Sequence, residues 1–275
     1  MAENLYKSNL IIDMHTHIGS ALNFHIPGEM LLEAMDKYKI DYALVSSSEC
    51  IEADHSGTIL PPDKQISQID ANQRILDFAK NHKTRIGVLL WGKPHTEQCD
   101  EQFEQLLIEN REMIYGIKIH PFHSAIPFHH PNVQRYICLA QKYHLPVLTH
   151  TAPDRNCSAK LVYQMALKYP NVNFIMGHME LGTDNKRAMK YIAQRPNLYG
   201  DTAWVYPENA VRMVAICGAK KLLFGTDAPI DGVDTYAHPD FYKKYLGSFR
   251  SMVGEANYNK IMWENAVRLF GIKRS

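Results

Sequence analysis

Residues 9–17 read NLIIDMHTH, a nearly unbroken apolar run from Asn9 to Met14 that ends in two histidines, His15 and His17. Runs of the same kind recur along the chain. They are Asp41–Val45 (DYALV), Arg85–Leu90 (RIGVLL), Tyr115–Ile119 (YGIKI), Leu145–Leu148 (LPVL), Val172–Met176 (VNFIM), Asn197–Gly200 (NLYG) and Lys221–Gly225 (KLLFG). Continuous apolar character, rather than strict alternation, marks strands buried on both faces of a parallel sheet. The stretches between them place apolar residues at helical spacing, as Met30, Leu31, Ala34, Met35 and Tyr38 do within Pro27–Lys39. Further helices are expected over Asn72–Asn81, Glu101–Met113, Asn132–Tyr143, Ser158–Tyr169, Asp184–Ala193, Glu208–Cys217 and Tyr258–Phe270. Strand–helix units in this alternation predict an α/β fold, a (β/α)8 TIM barrel, as a single domain over residues 1–275. An open doubly wound sheet competes, but it favours a GxGxxG phosphate loop after the first strand, and none is present. Two long loops, Ser46–Asp70 and Gly225–Glu255, follow the second and eighth strands, on the face where barrel loops carry function.

Composition narrows the function classes. The chain has 275 residues, with 30 basic against 29 acidic side chains, so it lacks the overall positive charge of most nucleic-acid binders. No segment approaches the roughly 18 consecutive apolar residues of a membrane span. The opening MAENLYKSNL lacks a basic region followed by an apolar run, so a cytoplasmic location is expected. Five cysteines, with no CxxC pair, read as reduced thiols rather than a disulfide framework or a structural zinc site.

The fourteen histidines are more informative. His15 and His17, two apart on an extended chain, face the same side. Lys118 and His120 end the fourth strand with the same parity, His150 and His178 end the fifth and sixth, and Asp227 follows the eighth. A barrel brings all of these strand ends to one mouth. Imidazole nitrogens and a carboxylate suit zinc or a similar divalent ion, which lowers the pKa of bound water to about 7. Asp227 then serves as ligand and as proton acceptor, and His178 as a second acid/base or a carbonyl-polarising group. A single strand-end histidine is more often an ordinary hydrogen-bonded residue; the signal lies in the constellation.

IDMHTH, GIKIHP, VLTHT, FIMGH, LLFGTDAP and ENAVRLFG, in this order over nearly the whole chain, resemble the amidohydrolase superfamily. They are most similar to its amidohydrolase-related branch, amidohydrolase family 2. The resemblance implies His15, His17, His150 and Asp227 as ligands of one divalent metal, zinc or alternatively manganese, with His178 as the catalytic histidine. It also implies a small-molecule substrate and a possible homodimer. Members hydrolyse C–O or C–N bonds with metal-activated water, or decarboxylate small aromatic or unsaturated acids without oxidation; both reactions stay open. A TatD-type nuclease shares HxH and the late aspartate, but normally carries a glutamate ligand earlier in the barrel, where this chain has lysine and histidine.

Other residues fall near the expected mouth. Lys118 sits where two-metal relatives carry a carboxylated lysine, although two residues before the strand end, so a buried charge paired with an acidic neighbour, or a contact to the substrate, is the plainer reading. His120 suits a substrate-facing or second-metal position. Arg155 is placed to pair with a substrate carboxylate. Trp91, Trp204 and Tyr206 suit an apolar wall, while His123, His129 and His130 default to the surface. Glu180, in MELGTD, is read first as a structural cap.

Overall fold

The apolar runs form strands and the periodic stretches form helices in a computed structural model that describes residues 10–272. Asn9, the expected start of the first strand, and most of the opening MAENLYKSNL lie outside the described residues. In chain order the elements are β1 (Ile12–Ala21), β2 (Phe24–Ile26), α1 (Gly28–Tyr38), β3 (Tyr42–Ser47) and α2 (Gln68–Asn81). Next come β4 (Ile86–Trp91), α3 (Glu101–Glu109), β5 (Ile114–Ile119), α4 (Pro131–Lys142), β6 (Val147–His150) and α5 (Ala159–Lys168). The last third holds β7 (Phe174–Gly177), α6 (Lys186–Gln194), β8 (Leu198–Asp201), α7 (Pro207–Cys217) and β9 (Leu222–Leu223). Neighbouring strands from β1 through β3 to β9 pair in parallel and in sequence order, as strand–helix–strand crossovers require.

The sheet closes on itself. Met14 N–H donates to the Phe224 carbonyl at 3.0 Å, Asp227 N–H to that of His15 at 2.8 Å, and His17 N–H to that of Ala228 at 3.0 Å. This seam joins the first strand to the segment after the last one and makes the sheet a barrel. The β1–β3 register shifts between Asp13 and Thr16. Below that irregularity Met14 joins the barrel's inner apolar layer; above it His15 and His17 line the mouth. Re-aiming side chains in this way is a common use of a bulge.

Side chains alternate along the strands, with the odd exception at the shift. Leu44, Leu89, Leu148, Ile175, Tyr199 and Leu223 point inward and fill the barrel; Val45, Val88, Ile117, Phe174 and Phe224 point outward beneath the helices. Phe270 and Ile272 belong to the inner cluster, so the C-terminal segment plugs the bottom of the barrel.

Four elements depart from expectation. β1 runs beyond the barrel wall and folds back on β2 as an antiparallel hairpin, with Gly19 opposite Ile26 and Ala21 opposite Phe24. α2 starts at Gln68, four residues earlier than expected, because Ser67 caps it by accepting the Asp70 N–H. The expected loop Gly225–Glu255 contains α8 (Tyr242–Leu246) and α9 (Phe249–Val253). The expected last helix splits into α10 (Glu255–Asn259), a π turn (Lys260–Glu264) and α11 (Asn265–Phe270). Among the described residues no helix is long and apolar enough to cross a membrane.

Removing the plug tests this account. Phe270→Ala is expected to destabilise the fold by about 3–5 kcal/mol, read as a shift in the urea midpoint. A change below about 1 kcal/mol would show that the segment does not close the barrel.

Candidate active site

His15 stands at the centre of the mouth with no exposed surface. Two inward glycines leave room for its ring. A Cβ at Gly225 would lie 2.8 Å from the His15 Cβ, and one at Gly177 would lie 3.1 Å from Cε1. Its Nδ1 is 2.7 Å from Asp201 Oδ2. A carboxylate only accepts, so Nδ1 carries the proton and the Nε2 lone pair faces the mouth. Asp227 Oδ1 lies 2.9 Å from that Nε2 and 3.2 Å from Nε2 of His17. His178 is fixed likewise: Nδ1 donates to the Ala203 carbonyl at 3.1 Å, which turns a bare Nε2 toward Asp227 Oδ2, 3.7 Å away.

The electrostatics follow from this crowding. Burial raises the Asp227 carboxyl, but the adjacent His15, His178 and His17 imidazoles hold it well below the usual range, so it is ionised. Burial and Lys118 push His15 down, yet Asp227 and Asp201 hold it above its ordinary value. Burial brings His17 down to about 4. The same desolvation, reinforced by His150 and His178 respectively, keeps His120 and His150 well below the usual imidazole value and therefore neutral near pH 7.

These donors fit a divalent cation. Among the described residues, ligand atoms of His15, His178 and Asp227 lie within 4.8 Å of one another. Their second nitrogens, on His15 and His178, are tied to a carboxylate and a carbonyl, the outward anchoring typical of metal-ligating histidines. The 2.9 and 3.2 Å separations of Asp227 Oδ1 from the His15 and His17 Nε2 atoms match neighbouring ligands around an ion held at roughly 2.0–2.2 Å.

The other expected residues divide. His150 lies at the same mouth, its ring 4.7 Å from His178 and stacked 4.1 Å from His120, but outside the tight group of three. Lys118 is fully buried, and burial lowers it to about 8. It hydrogen-bonds to His15 Nε2 at 2.6 Å, and the nearby Asp227 and Asp201 carboxylates favour its charged form. Trp204 donates from Nε1 to Asp227 Oδ2 at 3.0 Å. Arg155 is exposed and is not among the cavity-lining residues. Tyr206 is half exposed and packs on Phe241 instead of the cavity wall.

Above this floor lies a cavity of about 560 Å³. Trp91, His120 and His150 form a ring stack on one side, with Trp204 and Ile230 among the other lining residues. Phe24 and Ile26 of the hairpin also line it. His123, expected at the surface, is buried against the cavity because its Nδ1 donates to the Ala53 carbonyl at 2.8 Å and draws the long loop inward. His130 instead accepts from Asn132 N–H as the cap of α4. Glu180 accepts from Ala159 N–H at the start of α5 and pairs with Arg187, a structural role. Three mouth residues, His178, Trp204 and Asp227, have positive φ (66°, 55° and 65°), a strained backbone for non-glycine residues.

Sequence reasoning missed Asp201, Ser46 and His55. Asp201 accepts from His15 Nδ1 with one oxygen and from the His178 and Ala203 N–H groups with the other. Its signal was inward parity with Tyr199, one residue past the expected strand end at Gly200. Ser46 touches His17 Nδ1 at 2.9 Å, and His55 lines the cavity. Asp201→Asn removes the charge that anchors His15, and metal affinity is expected to fall about 10–100-fold in chelator competition with the circular dichroism spectrum unchanged. Unaltered affinity would show that Asp201 only supports the barrel.

Several solved structures share this fold. A probable 2-pyrone-4,6-dicarboxylic acid hydrolase from Acinetobacter baumannii, with citric acid bound, has 14% identity and a TM-score of 0.65, covering 96% of this chain and 100% of that one. A 2,6-dihydroxybenzoate decarboxylase from Rhizobium has 15% identity and a TM-score of 0.65, with 96% and 99% covered. A 5-carboxyvanillate decarboxylase from Novosphingobium aromaticivorans, with manganese and 3-methoxy-4-hydroxy-5-nitrobenzoic acid bound, has 12% identity and a TM-score of 0.70, with 97% and 98% covered. No curated protein sequence matches the chain. Residues 12–272 match the family model described as amidohydrolase, and the chain belongs to that family.

Proposed function

We propose that this chain, a single barrel domain over residues 1–275, is a metal-dependent enzyme acting on a small molecule, with hydrolysis of a C–O or C–N bond as the first reading. The observation that carries it is the convergence of the His15 and His178 Nε2 atoms on an ionised, buried Asp227. His15, His17, His150 and Asp227 would hold one divalent ion, manganese or zinc. That ion supplies Lewis-acid polarisation and a water acidic enough to be activated near neutral pH.

The chain's own residues do the rest. Asp227 Oδ2, facing both His178 Nε2 and Trp204 Nε1–H, is placed to take the proton of the attacking water. Trp204 orients that oxygen. His178, held in one tautomer by the Ala203 carbonyl, is placed to move a proton at Nε2. His120 accepts at Nδ1 from the His123 N–H, so its neutral ring carries the proton on Nε2, a donor for a substrate oxygen. Lys118 shares the His15 lone pair from below and keeps that ring oriented.

Decarboxylation is the second reading, favoured by the largely apolar, aromatic cavity. Loss of carbon dioxide disperses the charge of a carboxylate, so an apolar wall raises the ground state more than the transition state. Asp227 or His178 would then return a proton to carbon. A nuclease finds no support in a chain of net charge +1. The enzyme is proposed to work in the cytoplasm, and a homodimer is proposed by likeness to other barrels of the family.

The test begins with metal content per chain by elemental analysis, which is expected to show about one divalent ion in wild type and none in Asp227→Ala. Stripping with a chelator should abolish turnover of any lactone, amide or aryl acid found in a screen, and manganese or zinc should restore it. Carbon dioxide release without water addition selects the second reading. With a substrate in hand, Asp227→Asn is expected to lower kcat by about a thousand-fold or more. His178→Asn should lower kcat about 10²–10⁴-fold while the metal stays bound. If that variant loses its metal, His178 is a ligand, as its place in the tight group of three would allow.

A further inference from the structure

The cavity's charge is distributed unevenly between floor and mouth. Its floor holds the proposed metal ligands. Toward solvent, Asp154 and Asp231 contribute carboxylates, and among the described residues no lysine or arginine lines the cavity. Asp154 spends one oxygen on the Asn156 N–H at 2.7 Å, and Asp231 is exposed. Between floor and mouth the wall is mainly apolar, with Phe24, Ile51, Phe122, Leu181 and Ile230. Arg155, the basic residue nearest in sequence, stands outside.

We infer that this cavity takes a substrate with one anionic group, directed to the metal end of an apolar ring or unsaturated body, and that Asp154 and Asp231 reject a second carboxylate directed at the mouth. This rests on the metal-dependent reading proposed above. Two physical effects act in the same direction. A second carboxylate must shed water against a largely apolar wall that offers it no lysine or arginine. It also approaches two like charges at the mouth, Asp154 partly buried and Asp231 exposed. Together these are expected to lower affinity about tenfold or more. Substrates of this class are monocarboxylic aromatic or unsaturated acids rather than dicarboxylic acids.

The experiment compares two matched probes on manganese-loaded protein by calorimetric titration. In 2-hydroxy-5-methylbenzoate and 4-hydroxybenzene-1,3-dicarboxylate, the hydroxyl and its neighbouring carboxylate are the same; the position opposite the hydroxyl carries methyl or carboxylate. The methyl probe is expected to bind about tenfold or more tightly than the dicarboxylate. In Asp154→Asn/Asp231→Asn that ratio should shrink to about threefold or less, with the methyl probe unaffected. Raising salt from about 0.05 to about 0.5 M should narrow the ratio in wild type as well, a readout that does not depend on the variant folding. Equal or tighter binding of the dicarboxylate overturns the inference and leaves the metal-dependent reading standing. A ratio unchanged both in the double variant and at high salt overturns the role of the two carboxylates. If neither probe binds the fully loaded protein, the metal-dependent reading fails at this site and the inference falls with it.

Discussion

The seam between β1 and the segment after β9 is the constraint on which the rest of the site depends. Backbone hydrogen bonds from Met14 to Phe224, from Asp227 to His15 and from His17 to Ala228 close the barrel and bring together residues more than two hundred positions apart. The seam is also reinforced by side chains: buried Asp13 accepts from the Thr226 and Tyr236 hydroxyls and from the His15 N–H. Burial pushes that carboxyl up to about 7 against the pull of those donors, so it is a costly group kept where closure needs a polar link. The closing of the fold and the assembly of the His15, His17 and Asp227 cluster are one event.

Much of this was legible in the sequence because parallel strands buried on both faces are written as short apolar runs, and because barrel topology turns strand ends into neighbours. The order of runs from DYALV to KLLFG fixed the strand order, and parity placed His15 and His17 together at the mouth. What was not legible depends on contacts between loops that are distant in sequence. His123 is buried because of a carbonyl seventy residues earlier, and α2 begins early because Ser67 caps it. Asp201 escaped notice because the apolar run that announces β8 ends just before it. A polar residue at an inward position one step past a strand carries no periodicity signal.

Backbone strain and function coincide at this site. His178 begins a run of three left-handed residues with Met179 and Glu180, and Trp204 and Asp227 adopt the same region singly. Each such residue carries a cost of order 1–3 kcal/mol, which persists only where surrounding bonds over-determine the conformation. Here they do. Asn185 Nδ2 donates to the carbonyls of His178 and Met179, Thr151 Oγ accepts from Glu180 N–H, and the Tyr242 hydroxyl links Trp204 N–H to the Thr226 carbonyl. The reward is orientation, since the left-handed turns at His178, Trp204 and Asp227 bring these side chains together at the mouth.

The β1–β2 hairpin has a wider consequence. A single strand carries His15 and His17 near its middle and, after one tight reversal, supplies Phe24 and Ile26 to the cavity. Floor and roof of the chamber are therefore one covalent lever rather than separately adjustable parts. Lineages that lengthen or shorten this reversal would change the headroom over the reaction centre while the barrel staves stay as they are. Substrate range in this lineage can drift through a three-residue strand, at the risk that any twist introduced there is transmitted down the same strand to the reaction centre.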